Sequence, residues 1–161
     1  MTASPTSPRW LTAGQHDAWR SYQRMQTRLS ARLHRQLQSD SDLSLPDFEV
    51  LVALTDCPTG RLRAFELGRA LRWEKSRLSH QVSRMERRGL VARQECPSDG
   101  RGAFVVLTPA GRAAIEAAAP GHADAVHRLV FDGLDDEQVH ALHEICQTVL
   151  ARLDDDKDPD T

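Results

Sequence analysis

The chain has 161 residues, 40% hydrophobic and 27% charged, with a formal net charge of −2. That is too apolar for a disordered chain and long enough for one domain with a core, while 9 Gly and 8 Pro exclude collagen-like and low-complexity classes. No apolar run approaches the ~20 residues of a membrane span. Residues 1–10 carry no leader-like apolar stretch, and the three scattered cysteines form no disulfide framework, so a reducing cytoplasm is the expected compartment.

Residues 1–14 read as a disordered start, rich in Ser, Thr and Pro up to residue 9. From about residue 15 to 38, Ala18, Tyr22, Met25, Leu29, Leu33 and Leu37 recur at three- and four-residue steps, which predicts a long amphipathic helix. Arg20, Arg24, Arg28 and Arg32 form a second ridge on it. Ser44-Leu45-Pro46-Asp47 reads as the start of a second helix, apolar almost all round and therefore central. Cys57-Pro58-Thr59-Gly60 ends it. Ala64–Leu71 and Lys75–Arg88 then give two short helices joined by a tight turn, the second stopped by Gly89. Residues 90–95 and 103–107 read as strands of a hairpin around a loop containing Pro97, Gly100 and Gly102. Thr108 and Pro109 open another helix, expected to bend at Pro120-Gly121 and to end before Asp132-Gly133. A last helix, about residues 135 to 153, carries Val139, Leu142, Ile145, Cys146, Val149, Leu150 and Leu153 on one stripe. The fold class is mainly α with a small β-hairpin.

Charge is segregated along this order. Residues 61–101 hold eleven Lys and Arg against five acids, whereas residues 132–161 hold ten acids against two basic residues. A basic centre in a near-neutral chain is the footprint of a nucleic-acid face. On the helix from Lys75, Leu78, Val82 and Met85 share the inward side. Lys75, Ser76, Arg77, Ser79, His80, Ser83, Arg84 and Arg87 face outward or flank it, with no aliphatic residue among them. Arg can fork onto guanine O6 and N7 or clamp a phosphate, and Ser and His can reach either, so this helix suits a major groove.

Leu67-Gly68-Arg69-Ala70-Leu71, Lys75-Ser76-Arg77-Leu78-Ser79, Met85-Glu86-Arg87-Arg88-Gly89-Leu90-Val91, Asp99-Gly100-Arg101 and Leu107-Thr108-Pro109-Ala110-Gly111 together resemble the MarR family of bacterial transcriptional regulators. The specific likeness covers residues 64–111, and the flanking helices fit in order and length over about 15–153. The resemblance implies a winged helix-turn-helix core at about 44–110, with dimerisation helices at about 15–38 and 111–153 and an acidic tail at 154–161. It implies a homodimeric repressor on a palindromic operator in double-stranded DNA, relieved by a small aromatic or anionic ligand, with no cofactor and no membrane partner. Arg101 would be the wing-tip residue in the minor groove, and Asp99 would brace the wing, with Arg87 as its candidate partner. Glu74 departs from the family's usual Ser, Thr or Asp at the cap of the recognition helix. Two long one-striped helices also exceed what a small winged core can cover, which independently calls for a two-fold partner.

Several further features carry competing readings. The acidic Asp154-Asp155-Asp156 run either meets the Arg20/Arg24/Arg28/Arg32 ridge or is simply solvated. Cys57 and Cys146 read as small buried apolar residues, and Cys96 in the wing loop is the candidate redox-sensing thiol. His140, His143 and Glu144 share a helical face but lack zinc spacing, so no metal is expected. Trp19, Tyr22 and Trp73 either line an effector crevice or are core and interface aromatics. No nucleophile elbow, P-loop or dinucleotide fingerprint is present, so an enzyme is not expected. The rival is a helical, dimeric interaction module without specific DNA binding.

Overall fold

The computed structural model describes residues 8–95 and 102–155. Helix α1, Ala13–Ser41, opens on a capping box in which Thr12 Oγ1 accepts from the Gln15 amide and Gln15 Oε1 accepts from the Thr12 amide. The cap, rather than the first apolar residue, sets its start, so the helix is longer than its hydrophobic period suggests. Its 29 residues extend about 43 Å. Helix α2, Leu45–Asp56, has a second such box between Ser44 and Asp47. Val50, Leu51 and Leu54 are fully buried, which makes α2 the central helix.

A strand that the sequence did not suggest comes next. β1, Arg61–Arg63, pairs antiparallel with β3, Phe104–Leu107, which also pairs with β2, Val91–Gln94. The sheet order is β1-β3-β2, so the wing stem has three strands. Arg-Leu-Arg is too short to show an alternation. The strand is held from its neighbour, since Arg61 and Arg63 both lay their guanidinium groups over the Phe104 ring.

Helices α3, Ala64–Leu71, and α4, Lys75–Arg87, are joined through Arg72 in the left-handed conformation, φ 54°. That conformation costs an L-residue about 1–2 kcal/mol. In return the Arg72 and Trp73 amides donate to the last carbonyls of α3, those of Arg69 and Gly68. Gly89, φ 74°, ends α4 in the same way, its amide donating to Glu86 and that of Leu90 to Met85.

Helix α5, Pro109–Leu129, is capped by Thr108, whose Oγ1 accepts from the Gly111 amide and donates to the Gly89 carbonyl at 2.6 Å. A Cβ at Gly111 would lie 2.0 Å from the Leu90 carbonyl oxygen, so only glycine lets α5 seat on the strand entry. Helix α5 continues through Pro120, where the bend was expected, without a break in its helical assignment. A 3-10 turn at Phe131–Gly133 leads to α6, Asp136–Asp155.

The core gathers Leu37, Leu43, Leu51, Leu54, Leu67, Val82, Met85, Val91 and Val105 from both helix layers and the sheet. Only Leu37 of α1 enters it fully, and none of the described α6 side chains is buried. The apolar stripes on both helices stand open, with Tyr22 47% and Ile145 62% exposed. Cys146 is therefore exposed and Cys57 half-buried, not the core residues that their chemistry suggested. The spacing of apolar residues tells which side of a helix avoids water, but not whether the same chain covers it.

Candidate nucleic-acid interface

The inward side of α4 is as expected: Leu78, Val82 and Met85 are buried. Gln81 joins them and explains how the helix is fixed. Asp47 of α2, 2% exposed, accepts from Gln81 Nε2 at 2.6 Å and from Arg88 Nη1 at 2.7 Å. Its carboxylate also accepts from the Ser44 amide, and Arg88 Nη2 donates to the Asp42 carbonyl. One capping carboxylate thus pins both the middle and the end of α4 to α2. The Ser-x-x-Asp spacing at 44–47 is the available signal, but on its own it marks only a helix start.

Outward, Lys75, Ser76, Arg77, Ser79, His80, Arg84 and Arg87 are exposed. Ser83 is not a free surface group. It is half-buried, its hydroxyl donates to the Ser79 carbonyl, and it accepts from Arg93 Nη2 at 2.9 Å. Arg93 of β2 also donates to the Ser79 carbonyl and to Glu86 through both its amide and its Nη1. Arg93 therefore clamps the wing stem to α4, a role that nothing in its sequence neighbourhood announces. Arg87 Nε donates to the Ser83 carbonyl at 3.4 Å. Asp99, Arg101 and Cys96 lie outside the described residues, as does the Arg87–Asp99 pairing. Glu74 offers no side-chain cap to α4, as its chemistry suggested.

Glu49 on α2 is half-buried, and burial pushes its carboxyl up, with the positive charge of Arg77 pulling the other way. The Cys57 thiol is held below its ordinary value, chiefly by hydrogen bonding to Thr59. Asp154 pairs with Arg72, and the Asp155 side chain and Asp156, the rest of the acidic run set against the α1 arginine ridge, lie outside the described residues. His140 pairs with Glu144 on its own helix, and no group of three metal-ligating side chains occurs among the described residues.

The expected effector aromatics are not gathered in one place. Trp19 and Tyr22 stack on each other on the open face of α1, with ring centroids 5.7 Å apart. Trp73 sits between α3 and α4 beneath Arg77. A cavity of about 510 Å³ between α1, the end of α5 and α6 is lined instead by Met25, Arg28, Leu29, Arg32, Leu129 and Leu142, among others. No helix of the described residues is long and apolar enough to cross a membrane.

A basic, aliphatic-free helix presented by a helix-turn-helix, with a β-stem clamped beside it, defines a winged helix-turn-helix DNA-binding protein. The sequence pattern of the MarR family matches residues 41–102. Sco3205 of Streptomyces coelicolor, a MarR family transcriptional regulator solved in complex with DNA, is 44% identical, with a TM-score of 0.85 over 91% of both chains. AbsC, a MarR family regulator of the same organism, is 37% identical, with a TM-score of 0.84 over 91% of this chain and 98% of that one. The transcriptional regulator HosA of Escherichia coli O127:H6 is 31% identical over 70% of this chain and 75% of its own length. With HosA of Escherichia coli O111:H- the match is 38% identical and spans 57% of that protein. The chain belongs to the MarR family of transcriptional regulators.

Proposed function

We propose that this chain is a homodimeric repressor that binds a palindromic operator through α4 and releases it on meeting a small aromatic or anionic effector. The observation that carries the DNA part is the outward face of α4, where Lys75, Arg77, Arg84, Arg87, Ser76, Ser79 and His80 are all exposed and no aliphatic side chain interrupts them. In this reading Arg77 and Arg84 reach base edges, Lys75 and Arg87 hold phosphates, and Arg101 reaches the minor groove from the wing tip, with Asp99 bracing it. The solved DNA complex of Sco3205 supports it.

The dimer is supported by the open stripes of α1 and α6. Met25, Ile145, Val149, Leu150 and Leu153 are each about half exposed or more, a face that a soluble monomer rarely leaves bare. A second copy buries them and sets two α4 helices about one DNA turn apart, ~34 Å. The effector is expected to be aromatic or anionic because the open wall combines the stacked Trp19–Tyr22 pair with a cavity containing Arg28 and Arg32.

The test is a binding titration against genomic fragments at several salt concentrations. Tight binding to one palindromic fragment, steep in salt and weakened by Arg84→Ala, supports the reading. Equal, weak and salt-insensitive binding to every fragment overturns it in favour of an interaction module.

A further inference from the structure

Arg77, the third residue of α4, lies with its guanidinium carbon 4.2 Å from the centroid of the Trp73 ring. Trp73 is itself fixed: it is half-buried against the core, and its amide donates to the Gly68 carbonyl at 2.9 Å. Arg77 forms no hydrogen bond or ion pair among the described residues. Among the described residues Arg84 is equally without such a bond but has no ring beneath it, and the two arginines at the end of the helix are already engaged. Arg87 uses its Nε on the Ser83 carbonyl, and Arg88 is committed to Asp47 and Asp42. Arg77 is thus held by its flat face while its in-plane N–H groups stay unspent. Half-buried Glu49 is close enough to feel its charge, but forms no ion pair with it.

A guanidinium fixed in plane with free edges suits two parallel hydrogen bonds better than a loose point charge does. A phosphate tolerates many approach angles, whereas the O6/N7 edge of guanine demands one. We propose that Trp73 is a positioning residue that preforms Arg77 as a two-pronged donor to a guanine, so that an indole touching no base sets a base preference. This rests on the DNA-binding reading above and deepens it.

The first readout needs no DNA. In the free protein the side-chain protons of Arg77 should show an upfield ring-current shift in NMR, abolished in Trp73→Leu and retained in Trp73→Tyr. The second uses duplexes that the wild-type protein selects from a random-sequence pool. Arg77→Ala should weaken binding about 5- to 100-fold and relax the choice at one guanine position. Replacing that guanine by 7-deazaguanine should weaken the wild type but leave Arg77→Ala unaffected. Trp73→Leu should cost about 2- to 5-fold, the size of an exposed cation–π contact, and nothing further when Arg77 is already Ala.

The proposal is overturned by an absent ring-current shift, or by a Trp73→Leu loss that persists in the Arg77→Ala background. It is equally overturned if Arg77→Ala weakens all sequences alike, which would make Arg77 a phosphate contact. A wild-type protein that selects no sequence at all defeats the DNA-binding reading itself, and this inference with it.

Discussion

Asp47→Ala should cost far more stability than the loss of one surface carboxylate. The carboxylate is buried and accepts from three donors: the Ser44 amide, Gln81 Nε2 and Arg88 Nη1, at 2.8, 2.6 and 2.7 Å. Removing it deletes the side-chain half of a capping box, worth about 1 kcal/mol. It also strands the buried Gln81 amide, about 1–3 kcal/mol. Arg88 loses an ion pair but is 38% exposed and can rehydrate, which limits its share to about 1 kcal/mol. The expected total is about 4 kcal/mol, or a fall in Tm of roughly 8–16 °C for a chain of this size. Asp47→Asn should cost about half as much. Its one oxygen can serve Ser44 and Arg88 while the Gln81 amide turns over to accept from its NH2. Urea unfolding at fixed protein concentration measures both, with the slope checked for constancy. Combining Asp47→Ala with Arg88→Met should cost less than the two separately, because each residue is the other's partner. An Asp47→Ala variant within about 1 kcal/mol of wild type would refute the claim that this carboxylate anchors α4.

Arg93→Ala should reduce operator affinity by about tenfold while changing stability by less than about 1 kcal/mol, since its Glu86 pair is partly exposed; anisotropy and melting curves separate the two, and equal losses in both would make Arg93 merely structural. Burial holds the His122 imidazole, which packs at a tilt against the Phe48 ring, below its ordinary 6.5. The folded state then binds fewer protons than the unfolded chain, so this contribution is complete above about pH 6.5 and is lost as pH falls toward the folded value. Melting curves from about pH 7 to about pH 5 should lose part of their acid slope in His122→Leu, and an unchanged slope would exclude the group. Ile145→Glu, on the open stripe of α6, should shift sedimentation from dimer to monomer without unfolding the winged core. A fully dimeric variant would place the interface elsewhere.

The parts of the fold that were legible in the sequence are those where local chemistry and tertiary need agree. The tight turns at Gly89 and Thr108–Gly111 demand residue types that announce themselves, as does the inward set Leu78, Val82 and Met85. Three features were not legible because their cause lies elsewhere in the chain. β1 exists because β3 offers an edge and Phe104 offers a ring to two arginines. Asp47 looks like an ordinary cap until α4 brings Gln81 and Arg88 to it. Ser83 looks like a surface hydroxyl until Arg93 covers it. Pro120 was legible as an interruption of the hydrogen-bond ladder of α5, and the helix accommodates it. The proline removes one helical donor, that to the Glu116 carbonyl, but α5 packs along α1 and stays continuous. For the candidate site, the periodicity that found the outward face of α4 could not tell which of its residues were already occupied.

The central claim is that α4 enters a major groove twice, once from each protomer. Methylation protection of the selected operator tests it most directly, because it reports guanine N7 in the major groove base by base. The account predicts two protected blocks related by a two-fold axis and centred about 10–10.5 base pairs apart, or a multiple of that spacing. A single block, or binding that leaves every guanine N7 reactive, would contradict it.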